Sequence, residues 1–258
     1  MSTIVLLHGL FGFGQLSLGP VQLSYFQGID REIAMRGHRV ITPSVHPTAS
    51  IASRAQQLKD ILLNSDLTEK VILVAHSMGG LDARYLITHL DMARHVKALV
   101  TISTPHHGSP FANWAMTHLG DRLRLLKFMS ALKLESGAFA DLTTDQCAKF
   151  NALTPDAPGV KYFSISAKRP MTRVPVWAMH AWHIVNVAEG ENDGLVSVKS
   201  ATWGEHLETW PADHWHTINH RFVLELQNKT GDITPYYLRM LETVTAKITS
   251  QPEARHLS

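Results

Sequence analysis

The stretch from Val71 to Gly80 has the residue types and spacing that nucleophilic catalysis requires. Four strand-forming apolar residues precede Ala75-His76-Ser77-Met78-Gly79, and a helical pattern follows. A serine on a sharp strand-to-helix turn exposes its hydroxyl, and the positions two before and two after it must be small because strand and helix pass close together. Ala75 departs from the usual G-x-S-x-G pattern by one methyl group. The stretch predicts that Ser77 is a nucleophile, and the alternative is an ordinary turn serine.

A second loop with chemical meaning follows the first apolar run, Ile4–Leu7, and reads His8-Gly9-Leu10-Phe11-Gly12. Acyl transfer through a tetrahedral intermediate needs two backbone N–H donors aimed at the developing oxyanion. One commonly comes from a loop after an early strand and the other from the residue after the nucleophile, which points to Leu10 and Met78. The alternative is a glycine-rich connector. A phosphate-binding loop fits poorly, because the loop contains neither G-x-G-x-x-G nor G-K-[ST].

Two late segments supply an acid and a base. Asp193 precedes a glycine in a loop that follows residues 176–187, which we predict to form a strand or a loop–strand pair. The segment Asp213-His214-Trp215-His216 offers His214 as the base, with His216 as its rival. Serine, acid and histidine in this chain order can form a catalytic triad, in which the histidine takes the serine proton and the acid orients the imidazole.

The elements that must position these residues alternate between strands and helices. Apolar runs predict strands at 4–7, 39–43, 71–74, 96–103 and 160–166, and amphipathic patterns predict helices within 15–36 and at 50–64, 81–90 and 235–249. Continuous apolar strands are typical of a sheet that is buried on both faces. The alternation predicts an α/β fold with a doubly wound, mostly parallel sheet. The length of 258 residues fits a single domain over 1–258.

Residues 110–157 interrupt this alternation with a long, apolar-rich helical insertion. Basic Arg122, Arg124 and Lys127 are interleaved with its apolar residues, and a second helical stretch follows at 140–153. Insertions of this length commonly carry function. We expect a helical lid or cap whose apolar face meets an acyl chain or, transiently, a lipid surface. The alternative is additional core packing for the sheet.

Composition excludes several classes of function. The formal net charge of +2 does not suggest a nucleic-acid partner. The chain has no apolar run long enough to span a membrane and no signal-peptide pattern after Met1, so we expect a cytoplasmic protein. The alternative is secretion, either by another route or after removal of a signal peptide. Cys147 is the one cysteine, which rules out an intrachain disulfide and predicts an unreactive, half-buried thiol.

Taken together, these segments resemble the bacterial true lipases typified by Pseudomonas, Burkholderia and Proteus, which are α/β-hydrolases. The matching segments span nearly the whole chain and are Ile4–Gly12, the elbow with Gly80–Tyr85, Ile102–Ser109, Leu142–Thr144, Phe150-Asn151, Tyr162–Ser164 and Asn192–Ser197. The resemblance implies an α/β-hydrolase fold with a mobile helical lid. It also implies a serine carboxylic-ester hydrolase, often acting on triacylglycerols. In that family pattern Ser77, Asp193 and His214 form the triad, and Leu10 and Met78 form the oxyanion hole.

The family pattern also chooses between the two histidines. It reads His, an apolar residue, Asp, any residue, and then Ile-Asn-Gln, and here Ile218-Asn219 sets the register. That register makes His214 the base in preference to His216. It also places His216 and His220 where the family has an Asp and a Gln of a structural calcium site.

The calcium site that the family implies is therefore expected to be absent. The family's other calcium-binding Asp lies upstream, yet no Asp or Glu occurs between Asp156 and Glu189. Calcium prefers several oxygen ligands, and carboxylates above all. The histidines of this loop could also bind zinc. If His214 were a zinc ligand, however, it could not act as the base. We expect no metal and no other cofactor.

Three other functions remain open from the sequence. A short-chain esterase or thioesterase, or an acyltransferase, could use the same scaffold and differ only in acyl-chain length or acceptor. A catalytically idle hydrolase-fold module could instead bind an apolar ligand or a partner protein. The presence of serine, acid and histidine in the order of a triad argues against the idle module.

Overall fold

Among the residues that the structure describes, six parallel strands form the central sheet. We describe it from a computed structural model that covers residues 1–10, 12, 15–18, 21–118, 137–220 and 231–250. The sheet order is β4-β1-β5-β6-β7-β8, and the strands are β1 (Thr3–Leu7), β4 (Arg39–Ile41), β5 (Val71–His76), β6 (Val96–Ile102), β7 (Lys161–Ala167) and β8 (Glu205–Trp210). An antiparallel hairpin pairs β2 (Gln15–Leu18) with β3 (Val21–Ser24).

The helices of the described residues lie between the strands in the chain. They are α1 (Ile29–Met35), α2 (Ile51–Leu63), α3 (Gly79–His89), α4 (Pro110–His118), α5 (Gly137–Asp141), α6 (Thr144–Leu153), α7 (Met179–Glu189), α8 (Val198–Ala201) and α9 (Thr234–Thr249). Short 3-10 turns cover Ala93–His95, Met171–Arg173, Val176–Ala178 and His216–Ile218. None of these helices is both long enough and apolar enough to cross a bilayer.

Two hydrophobic cores lie on opposite faces of the sheet, as the all-apolar strands predict. Successive strand residues point to opposite faces. In β1, Ile4 and Leu6 join the cluster that contains residues of α1 and α9. Val5 and Leu7 join the other cluster, with residues of α2 and α3. The predicted fold class, a doubly wound parallel sheet, is confirmed.

The parallel arrangement brings the chemically important loops to one edge of the sheet. β1 pairs in parallel with β5, so that Leu7 is opposite Ala75. His8 and Ser77 therefore begin neighbouring loops, and the loop after β8 leads to His214. Open α/β sheets bind their ligands at this carboxyl edge.

The predicted strand over residues 176–187 is wrong. This segment forms a 3-10 turn at Val176–Ala178 and then the helix α7. Its buried residues Ala178, Ala181 and Val185 follow a helical spacing of three and four. β7 pairs directly with β8, so the sheet has no position for an intervening strand. Asp193 consequently lies in a loop after a helix.

Residues 15–36 and the 110–157 insertion agree with the predicted elements only in part. Between residues 15 and 36, the helix begins only at Ile29, and Tyr25 and Phe26 lie in a turn before it. In the 110–157 insertion, the helices α4, α5 and α6 are described, whereas Arg122, Arg124 and Lys127 lie outside the described residues. The assignment of the insertion as a lid, and of 1–258 as one domain, stays a prediction.

Gly79→Ala should destabilise the protein, because a Cβ atom there would lie 2.7 Å from the His8 carbonyl oxygen and 3.0 Å from that of Leu7. Backbone atoms cannot move aside cheaply, so we expect a loss of about 1–3 kcal/mol in the free energy of unfolding. Gly231→Ala is the control, since no atom of the described residues, apart from the glycine and its two chain neighbours, lies within 4 Å of a Cβ atom placed there. Urea unfolding of both variants measures the difference, and equal stabilities would contradict the close approach.

Candidate active site

Ser77 occupies a strained turn between β5 and α3. Its φ angle of 54° lies in the left-handed region, which is costly for a residue with a side chain. The surrounding strands hold it there, since the Ser77 N–H donates to the Ile102 carbonyl at 2.9 Å. The Ser77 carbonyl in turn accepts a hydrogen bond from the Thr104 hydroxyl at 2.7 Å. The turn directs the serine hydroxyl into a cavity.

The three residues predicted as a triad lie in hydrogen-bond contact. His214 Nε2 is 3.0 Å from Ser77 Oγ, and His214 Nδ1 is 2.8 Å from Asp193 Oδ2. A carboxylate can only accept, so Nδ1 carries the proton and Nε2 is free to accept the serine proton. All three side chains are buried.

The loop around Asp193 holds its carboxylate in place. Its second oxygen, Oδ1, accepts the N–H groups of Leu195 at 2.9 Å and Val196 at 2.8 Å. The Asp193 carbonyl also accepts the N–H of His214 at 2.9 Å. The acid and the base are therefore joined through both side chain and backbone.

A buried histidine, His76, links the base to the first loop. His76 Nε2 donates to the His214 carbonyl at 3.1 Å, so its Nδ1 accepts the Tyr25 hydroxyl at 2.9 Å. The Tyr25 oxygen accepts the Gly9 N–H at 3.2 Å. Burial lowers the pKa of His76 well below its usual value, which keeps the ring neutral. The chain of contacts spans from the Gly9 loop to the His214 loop.

The two predicted oxyanion donors lie beside Ser77. Leu10 lines the same cavity as Ser77 and packs against a third, smaller hydrophobic cluster, which includes Met78 and Leu81. Within the described part of the chain, neither the Leu10 nor the Met78 N–H donates a hydrogen bond, which leaves both for a bound oxyanion. Gly9 allows the approach, because a Cβ atom there would lie 2.8 Å from Ser77 Cβ.

A buried ion pair stabilises the loop that contains His8, Gly9 and Leu10. The Arg54 guanidinium on α2 contacts Asp82 on α3 at 2.7 Å, and both side chains are almost fully buried. It also donates to the carbonyl of His8 at 2.8 Å. Burial raises the pKa of Asp82 to about 6, even though the adjacent guanidinium favours the charged form.

Arg54, Asp82, Tyr25 and His76 were not predicted as site residues. For Arg54 a signal exists in the sequence, because it lies on the apolar stripe of α2 between buried Ile51 and Ala55. A charged residue in that stripe must be paired. The sequence does not say with which partner.

An apolar cavity of about 440 Å³ opens at Ser77. Its lining is mostly aromatic and aliphatic and includes Leu10, Phe111, Ala112, Phe139, Leu142, Trp177, Leu195, Trp215 and Ile218. Four of these residues come from the 110–157 insertion. Nucleophile, base, two free amides and an apolar cavity can together carry out acyl transfer on a substrate with an apolar chain.

The chain is similar in sequence to known lipases. It is 32% identical to Triacylglycerol lipase 2 of Saccharomyces cerevisiae over 251 residues, which cover 88% of this chain and 75% of that protein. It is 27% identical to a triacylglycerol lipase of Vibrio cholerae, covering 90% and 84% of the two chains. A family model described as the PGAP1-like alpha/beta domain matches residues 49–144.

Solved structures share the fold. The crystal structure of Staphylococcus hyicus lipase superposes with a TM-score of 0.77 at 17% identity, covering 96% of both chains. The mature form of a Bacillus licheniformis lipase superposes with a TM-score of 0.68 at 24% identity, covering 93% of this chain and 91% of that one.

Arg54→Met should destabilise the protein strongly, because it leaves the Asp82 carboxyl buried without its partner. Breaking a buried pair on one side costs roughly 3–5 kcal/mol. Lys97→Met is the control, since Lys97 pairs with Glu69 at 2.9 Å in a partly exposed pair that is worth no more than about 1 kcal/mol. Thermal unfolding of both variants measures the contrast. An Arg54→Met variant as stable as Lys97→Met would rule out this role for the pair.

Proposed function

Because this chain belongs to the triacylglycerol lipase family of the α/β-hydrolase superfamily, we propose that it hydrolyses acylglycerol esters through an acyl-enzyme on Ser77. The observation that carries the proposal is the hydrogen-bonded series of Ser77, His214 and Asp193 at the mouth of an apolar cavity. Its distances of 3.0 Å and 2.8 Å lie within the reach that proton transfer requires.

In the first half of the reaction, Ser77 Oγ attacks the ester carbonyl carbon while His214 Nε2 takes its proton. Asp193 keeps the imidazole in the required tautomer and stabilises the positive charge that develops on it. The N–H groups of Leu10 and Met78 receive the oxyanion of the tetrahedral intermediate. Each such donor is worth about 3 kcal/mol of transition-state stabilisation. His214 then protonates the departing alcohol.

In the second half, water replaces the alcohol. His214 takes a proton from water as its oxygen attacks the acyl-enzyme, and the same two amides hold the second oxyanion. Collapse of this intermediate returns the proton to Ser77 and releases the fatty acid. No step of this cycle requires a cofactor.

The cavity lining supports an ester with an apolar acyl chain. Phe111 and Ala112 on α4, and Phe139 and Leu142 around α5, face the same space as Ser77. These four residues belong to the insertion predicted as a lid, which supports a role for it in covering the substrate. Trp177 lines the same cavity and is 58% exposed, which suits transient contact with a lipid surface. The cellular location stays a prediction.

Ser77→Ala should lower the turnover of p-nitrophenyl octanoate and of an emulsified triacylglycerol by at least about 10⁴-fold, because it removes the nucleophile. Ser103→Ala is a matched control. Ser103 follows β6 with a similar φ of 50°, and its buried hydroxyl has no hydrogen-bond partner among the described residues. We expect the control to keep full activity, and circular dichroism to show both variants folded. Turnover retained by Ser77→Ala would refute the proposal.

His214→Ala and His216→Ala should separate the base from its neighbour. Loss of the base is expected to cost at least about 10⁴-fold in kcat. His216 is hydrogen-bonded to Arg169, Asp213 and Gly231, so we expect its loss to act only through the loop and to cost no more than about 100-fold. Steady-state kinetics on the two variants decide between them, and a larger loss for His216→Ala would reverse the assignment.

A further inference from the structure

A second buried cation lies behind the predicted triad, at the end of β7. Arg169 is two residues past this strand and is 7% exposed. Its guanidinium donates to Asp213 Oδ2 through Nη1 and to His216 Nδ1 through Nη2, the latter at 3.1 Å. The guanidinium therefore contacts residues on both sides of His214.

The backbone of Arg169 contacts the loop that carries Asp193. Its N–H donates to the carbonyl of Asn192 at 3.0 Å, and Asn192 directly precedes Asp193. Its carbonyl accepts the indole N–H of Trp182 at 2.8 Å. One residue is thus bonded to the loops that carry both the acid and the base.

Asp213 connects the Arg169 guanidinium to the backbone of the turn around His214. Its second oxygen, Oδ1, accepts the N–H of Trp215 at 3.0 Å and that of His216 at 2.9 Å. A guanidinium only donates, so His216 Nδ1 accepts and its Nε2 donates to the Gly231 carbonyl at 2.8 Å. Arg169 and Asp213 form a buried ion pair beside this histidine.

The residues of this region do not fit the calcium ion that the resemblance implies. Calcium needs several free oxygen ligands. Here both oxygens of Asp213 are already hydrogen-bonded, and a guanidinium lies against one of them. Within the described ranges, no group of three or more His, Cys, Asp or Glu residues could hold a metal ion. A divalent cation would face a fixed positive charge.

We infer that the Arg169 guanidinium stabilises this region in place of the family's calcium ion. Arg169 thereby positions the His214 loop against Asp193. The inference rests on the proposed function, since it assigns a positioning role relative to that triad. Arg169 is not among the described residues that line the cavity, so it acts through Asp213 and the Asn192 carbonyl and has no contact with substrate.

The test compares Arg169→Met and Arg169→Lys with Lys168→Met as the matched control. Lys168 is the preceding residue and forms an exposed ion pair with Glu191 at 2.7 Å. For each variant, kcat, KM and the rate of Ser77 labelling by a fluorophosphonate are measured well below its melting temperature. Melting temperatures are recorded with EDTA and with excess CaCl2.

We expect Arg169→Met to lower kcat and the labelling rate by about 10- to 100-fold with KM little changed, and Lys168→Met to behave as wild type. Arg169→Lys should recover part of the loss, because it keeps the charge beside Asp213 but lacks the planar fork that reaches His216 as well. The wild-type melting temperature should be the same in EDTA and in CaCl2.

Two results would overturn the inference. One is wild-type kcat and labelling in Arg169→Met, and the other is a wild-type melting temperature that falls in EDTA. If Arg169→Met does not fold, Arg169→Lys carries the test, and a loss of kcat no greater than that of Lys168→Met counts against the role. Absence of fluorophosphonate labelling in the wild-type protein would instead refute the proposed function, so the two failures are distinguishable.

Discussion

The close approach of two backbones at the carboxyl edge of the sheet is the constraint on which the site depends. Ser77 adopts its left-handed φ of 54° only because β5 and α3 turn sharply around it. The His8–Leu10 loop crosses this turn at a distance that admits no side chain at Gly9 or Gly79. The strained backbone at Ser77 and the absence of side chains at Gly9 and Gly79 thus bring the predicted nucleophile close to the predicted amide donors. Arg54 and Asp82 fill the space behind the loop.

Burial also sets the charge states around the predicted base. The rings of His76 and His214 lie 4.7 Å apart, so a charged His76 would oppose an imidazolium on His214. Burial lowers the pKa of His76 well below its usual value and that of His8 to about 4. Both histidines therefore stay neutral at physiological pH. They contribute hydrogen bonds to the loops without adding positive charge near the site.

The sequence was informative where local chemistry dictates the structure. The pattern around Ser77 predicts a strand, a turn and a helix, and all three are observed at Val71–His89. Asp193 and His214 could be named because the family pattern specifies the residues next to them and their order along the chain. The strand predicted at 176–187 failed because Trp, Val and Ile favour strands, whereas the direct pairing of β7 with β8 leaves no room for one. Tyr25 and Arg54 were missed because their partners are far away in the chain and only the folded protein brings them together.

The position of β1 in the sheet has a consequence for how the molecule is made. β1 precedes β4 and β5 in the chain, yet it lies between them in the sheet, so each of its two pairings can form only after the partner strand has been synthesised. Such non-local pairings slow folding. Ser77 and His214 are 137 residues apart in the chain, so a nascent chain contains the predicted nucleophile and the predicted amide donors long before it contains the predicted base. In this order of synthesis, Ser77 has no histidine partner until the segment around His214 has been made.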